Sequence, residues 1–218
     1  RTPLPSGGEE VGTAIFIIED NKNPYILTAN HVAKSCTNST LVVISDAASK
    51  GQSFPLPFFN PSLAWKHHPI ADLSVLPVVP DKTLVPHLSG RFFPTSQLEF
   101  ATSPPSRDAY LTAVGFPHGL GAVGHFSPFT FRSHATSGLI TLARFDTKTP
   151  CDFFVLEHPS VGGYSGGPVF DLGYIVVGAM TTSTGPTRCL GIMHGTIADS
   201  TGGKIAAVTP CSYVMDLL

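Results

Sequence analysis

The chain is short of charge. Its 218 residues hold 13 Lys and Arg against 15 Asp and Glu, a net charge of −2, and only 13% are charged, about half the usual share. No basic patch follows from this balance, so nucleic acid and an anionic membrane surface are not expected partners. Long hydrophobic runs are missing as well. The longest, such as Ala14 to Ile18, fall far below the roughly 18 residues of a membrane span. The Ala, Glu, Lys, Leu and Arg excess of coiled coils and bundles is absent, which argues against both. There are only four cysteines, Cys36, Cys151, Cys189 and Cys211. None forms a Cys-x-x-Cys pair, which excludes a zinc ribbon and a thioredoxin motif. Four cysteines permit three full pairings, and sequence does not choose among them. Cys189 and Cys211 lie on late segments that a sheet could bring together. A bridge there and buried free thiols both stay open. No apolar leader stands at Arg1-Thr2-Pro3-Leu4-Pro5, so the chain reads as a processed or excised form. Sparse charge with many Ser, Thr, Gly and Pro suggests a secreted or periplasmic protein.

What is present is turn and core. Gly and Pro number 21 and 20, and 42% of residues are hydrophobic, enough for a sizeable core and against disorder. Short runs rich in Val, Ile, Phe and Thr, many bounded by Gly, Pro, Asn or Asp, predict strands. They cover residues 11–19, 25–29, 41–45, 73–79, 110–115, 137–144, 153–157, 168–170, 174–181, 190–196 and 204–209. Residues 20–24, Asp-Asn-Lys-Asn-Pro, read as a hairpin turn. Only Cys211 to Leu218 predicts a helix, with Ser212 as N-cap. The Pro, Ser and Thr of residues 96–107 read as a linker. The expected fold is all-β: an N-terminal barrel over residues 1–95, and a second barrel with the helix over residues 108–218.

Three segments carry chemistry. Gly162-Gly163-Tyr164-Ser165-Gly166-Gly167-Pro168 gives a serine hydroxyl room and lets backbone N–H groups turn toward a carbonyl oxygen. Leu27-Thr28-Ala29-Asn30-His31 ends a strand on a histidine, and Ala71-Asp72-Leu73-Ser74-Val75-Leu76 opens one on an acid. Taken singly, each has an ordinary structural explanation. Together, in the order His31, Asp72, Ser165, they resemble the chymotrypsin-like serine peptidases. That family carries Leu-Thr-Ala-Ala-His, Asp-Ile-Ala-Leu-Leu and Gly-Asp-Ser-Gly-Gly-Pro at nearly these spacings.

The resemblance covers nearly the whole chain. It implies two six-stranded antiparallel barrels, a short C-terminal helix and an active site in the cleft between the barrels. It implies a serine endopeptidase working through an acyl-enzyme on protein or peptide substrates, with no cofactor or metal. Ser165 would be the nucleophile, His31 the base and Asp72 its orienting acid, with the N–H groups of Gly163 and Ser165 as oxyanion hole. Tyr164 stands where the digestive enzymes have an aspartate, and no Ile-Val-Gly-Gly start is present. The likeness is therefore to the bacterial and viral branches, without that zymogen switch.

The family's pocket implies a wall at residues 157–162, with Glu157 and Pro159 as candidates. It also implies a substrate-pairing strand at residues 190–196, with Met193, His194, Gly195 and Thr196. On this alignment residues 172–188 are an insertion, whereas a rival places residues 176–181 on the strand. His194 could favour an acidic side chain or simply pack on its strand. His67 and His68 find no third ligand at suitable spacing and read as loop residues. His118, His125 and His134 sit in a Gly- and Phe-rich stretch that is either a substrate loop or packing. Two rival functions remain. One is the Gly-x-Ser-x-Gly elbow of an esterase-type α/β-hydrolase, which requires alternating helices and an acid and histidine after the serine. The other is a catalytically silent binding module on the same barrels.

Overall fold

The computed structural model describes residues 1–19, 22–198 and 200–218. Strands dominate, and helix is confined to short turns such as Asn30–Ser35 and Val85–Leu88. A five-stranded sheet runs in the order Lys66–His67, Ser74–Pro77, Asn23–Thr28, Ile15–Glu19, Phe93–Pro94. A three-stranded sheet joins Gly124–His125, Lys50–Pro55 and Leu41–Ser45. A seven-stranded sheet holds Phe129–His134, Tyr110–Gly115, Pro168–Asp171, Arg188–Ala198, Lys204–Pro210, Pro150–Leu156 and Ile140–Ala143 in that order. Every pairing in it is antiparallel. With so little helix, the α/β-hydrolase alternative is overturned.

Neither expected barrel closes into a continuous ladder. In the second half a single bridge, Ala135 with Leu156, links the first strand of the sheet to the sixth. In the first half the two sheets leave an interior of about 440 Å³, lined in part by Ile15, Phe16, Val42, Ile44, Leu56 and Trp65. The first-half core adjoins that opening and shares Ile44 and Leu56 with it. Ile26, Ile44, Leu56, Phe59, Leu76 and Leu84 form one buried cluster. Leu111, Phe154, Leu156, Val169, Met193 and Val208 form the core of the second half. A third cluster draws on both, setting Ile17, Leu27, Leu73 and Val75 against Leu98, Ile192 and Val214. Burial of such side chains contributes about 1.5–3 kcal/mol each, so this shared core fixes the halves against each other.

Several elements differ from expectation. The strand expected from Val11 begins at Ile15, because Thr13 is spent on contacts with the serine turn: its N–H donates to the Ser165 carbonyl at 2.8 Å. The polar run Lys50–Pro55 and the segment Phe129–His134 are strands that hydrophobic content did not announce. Tyr174 onward is not one strand but a hairpin, Tyr174–Val177 with Met180–Ser183, turned at Gly178. The terminal helix is a 3₁₀ turn, Cys211–Asp216, started by Pro210 with no side-chain cap, so Ser212 is not its N-cap. The stretch expected as linker is packed at its start: Leu98 is buried and bridges Cys189. In the expected turn, Asn23 pairs with Glu19, while Asp20 and Asn21 lie outside the described residues. All four cysteines are free thiols. Cys211 and Cys189 face each other with sulfurs 3.8 Å apart, so the segments do meet but no bridge joins them.

Candidate active site

Asp72 lies just before strand Ser74–Pro77 and is fully buried. His31 occupies the first turn of helix Asn30–Ser35, which follows directly on strand Asn23–Thr28. That strand pairs with Ser74–Pro77, Thr28 opposite Ser74, and the pairing delivers the histidine to the acid. His31 Nδ1 lies 2.7 Å from Asp72 Oδ2, and the His31 backbone N–H donates to Oδ1 at 3.0 Å. Oδ2 receives a second imidazole, His194 Nδ1 at 2.5 Å. His194 Nε2 accepts the Phe145 amide N–H at 3.4 Å. That acceptor role places the ring proton on Nδ1, facing the carboxylate.

Oδ1 also accepts from the Arg144 guanidinium at 3.1 Å. The same guanidinium donates to the carbonyls of Ile70 and Ala71 at 2.9 Å each, and to both carboxylate oxygens of Asp146. Burial acts to raise the Asp72 carboxyl. The hydrogen bonds from His194 and His31 outweigh it and hold the group well below the usual carboxylate range. His31, Asp72 and His194 present potential ligand atoms within 4.8 Å of one another. Both Nδ1 atoms nevertheless carry protons directed at the carboxylate, so this is a hydrogen-bond network and not a converging set of lone pairs.

Ser165 follows a turn shaped by glycine. Gly163 has φ +99, and a Cβ there would lie 2.2 Å from the Phe116 carbonyl oxygen. Its own carbonyl accepts the Thr13 hydroxyl at 2.6 Å. Further N–H groups fix the turn: Tyr164 donates to Val161, Gly166 to Met193 and Gly167 to Tyr164. Tyr164 is buried against Phe131, ring centroids 5.1 Å apart. The Ser165 hydroxyl donates to the His194 carbonyl at 3.2 Å. His31, Asp72 and Ser165 thus converge on strand Arg188–Ala198, which lies at the centre of the large sheet. The rival strand, residues 176–181, belongs to a separate two-stranded hairpin.

Other expected site residues fall into place differently. The His194 ring is buried against Asp72. Met193 is buried in the second core. Glu157 and Pro159 are exposed. Thr196 donates to the Ser160 carbonyl and meets its hydroxyl, which joins the expected pocket wall to the expected substrate strand. His67 binds the Ser74 hydroxyl and His68 meets Asp216. Sequence reasoning missed Thr13, Arg144, Phe145 and Asp146. Arg144 closes an otherwise apolar predicted strand in a chain poor in charge, the one signal that pointed at it.

The chain matches the trypsin-like peptidase domain family over residues 12–178 and belongs to it; it is a serine peptidase. No curated protein sequence matches it. Among solved structures, the active form of the Rv3671c protease from M. tuberculosis is similar, with TM-score 0.58 and 19% identity over 100% of this chain and 77% of that one. The MamO protease domain from Magnetospirillum magneticum is similar at TM-score 0.55 and 15% identity, covering 96% and 85%. The HtrA-type protease AlgW with tripeptide matches at TM-score 0.55 and 18% identity, covering 94% of this chain and 53% of that chain. These likenesses bear on the fold. No helix among the described residues is long and apolar enough to cross a membrane.

Proposed function

We propose that the protein is an endopeptidase whose catalytic residues are His31, Asp72 and Ser165. The observation that carries this reading is the His31 Nδ1 to Asp72 Oδ2 hydrogen bond, with Ser165 in a Gly-rich turn donating to the carbonyl of His194, whose ring shares Oδ2. A carboxylate on Nδ1 keeps Nε2 unprotonated and facing the nucleophile. In the reaction the Ser165 hydroxyl turns from the His194 carbonyl to Nε2, gives up its proton and attacks the substrate carbonyl carbon. The N–H groups of Gly163 and Ser165 are the proposed oxyanion donors; losing one such donor typically costs about 3–4 kcal/mol. His31 then protonates the leaving amine, and water clears the acyl-enzyme. The pocket is proposed between residues 157–162 and residues 194–196, tied by Ser160 and Thr196. Export from the cytoplasm is proposed on composition alone.

A fluorophosphonate probe should label Ser165, and Ser165→Ala should neither label nor hydrolyse peptides. Folded wild-type protein that does not label, as a catalytically silent module would behave, overturns the reading. So does unchanged hydrolysis in Ser165→Ala.

A further inference from the structure

A fully buried arginine is rare unless its charge is matched. Arg144 is 2% exposed and every donor named above has an acceptor. It follows directly on strand Ile140–Ala143 in the second half of the chain, yet three of its acceptors belong to residues 70–72 of the first half. The fork holds the two peptide carbonyls on either side of Ala71 and the Oδ1 oxygen at once. With Oδ1 fixed this way, Oδ2 has one direction in which to meet His31. Asp146 grips the guanidinium from behind at 2.9 and 2.6 Å, and its side chain is 16% exposed. The groups therefore run in series, imidazole, carboxylate, guanidinium, carboxylate, with the middle two buried and the outer two partly exposed.

We propose that Arg144, held by Asp146, is a positioning residue that aims Asp72 and sets how basic His31 is. The proposal rests on the triad reading given above. A lone buried carboxylate stabilises the imidazolium of its histidine partner. A guanidinium on the far oxygen offsets part of that negative charge and so weakens the hold on the imidazolium. Asp146 partly restores the negative field. The other ionisable groups around Asp72 are His194, whose Nδ1 meets Oδ2, and Cys151. Burial pushes the Cys151 thiol up to about 11, so it stays neutral across the working range. His68, hydrogen-bonded to the Ala71 N–H, faces Asp216.

The test is the pH dependence of fluorophosphonate labelling at Ser165, which needs no identified substrate and reads His31 through its acid limb. Arg144→Met should slow labelling and move that limb up by about one pH unit. Asp146→Asn, which leaves the guanidinium charge unbalanced, should move it down. Arg144→Lys, with the charge but not the fork, should label slowly with its limb near the wild-type position. Folding of each variant is checked by its thermal transition. The opposed shifts are the signature, since a merely structural role slows both variants and moves neither limb. Unmoved limbs, or shifts of the same sign, overturn the proposal. If Arg144→Met does not fold, Asp146→Asn decides alone. Failure of the triad reading looks different: wild type then fails to label, or Ser165→Ala keeps its hydrolysis.

Discussion

The Thr13 hydroxyl donates to the Gly163 carbonyl oxygen at 2.6 Å, across 150 residues of chain. It also accepts the Phe116 N–H at 3.1 Å. One buried hydroxyl from the first half thus orients the Gly163–Tyr164 peptide of the second. Digestive relatives have an aspartate at the position of Tyr164, whose ring here is packed in the core.

Thr13→Val keeps the shape and removes both hydrogen bonds. The Gly163 carbonyl and the Phe116 N–H then lose a partner, at a cost of about 1–3 kcal/mol. The variant should unfold at lower urea, followed by the fluorescence of Trp65, the sole tryptophan. It should also label more slowly at Ser165. An unchanged midpoint would show that the turn is held by its glycines alone.

Gly163→Ala puts a Cβ on a left-handed backbone and into the Phe116 carbonyl. The turn must shift, and a proposed oxyanion donor shifts with it. Labelling should fall by on the order of 10²–10³ in protein whose circular dichroism is near wild type. Full-rate labelling would remove Gly163 from the oxyanion hole.

Acid should destabilise the fold in a defined window. The Asp72 and Asp146 carboxyls are both lowered, in each case against an opposing effect of burial. Hydrogen bonds from His194 and His31 lower the first, and the Arg144 hydrogen bond lowers the second. A folded pKa below the unfolded one means that protons favour the unfolded chain. Their stabilisation is whole above about pH 4, the ordinary carboxylate range, and drains as pH falls further. Urea midpoints from pH 6 down to pH 2 should decline, less steeply in Asp146→Asn. A flat profile would contradict the network.

Thiol reactivity should split by burial. Cys151, Cys189 and Cys211 are buried, and Cys36 is partly exposed. The hydrogen bond with Cys189 and then burial push the Cys211 thiol far up. In native protein Cys36 should react first with a disulfide reagent, and all four should react after denaturation. Fewer than four in the unfolded, unreduced chain would reveal a bridge.

Much of this arrangement was legible from residues. His31, Asp72 and Ser165 each sit in a local motif, and local motifs survive in sequence because strand ends and tight turns demand particular residues. Gly163 shows this directly, since its φ excludes a side chain. Arg144 and Thr13 were not legible, because their partners are 72 and 150 residues away and no local pattern encodes a distant acceptor; Asp146 matters only through Arg144, so it went unread with it. His194 was noticed, with facing the pocket and packing on its strand both open. A histidine on a strand can face either side, and only the position of Asp72 decides which. The strand Lys50–Pro55 escaped because it carries no alternating apolar pattern, yet its residues 51–55 all pair with Leu41–Ser45.

The guanidinium that spans the two halves has a consequence for the chain as a whole. Residues 101–104 are exposed between them. A protease nick there would leave one fragment with His31 and Asp72, and another with Ser165, Arg144 and His194. Neither fragment could aim Asp72, so any turnover after such a cut would report that the pieces had stayed docked. Activity in this protein is a measure of assembly as much as of chemistry.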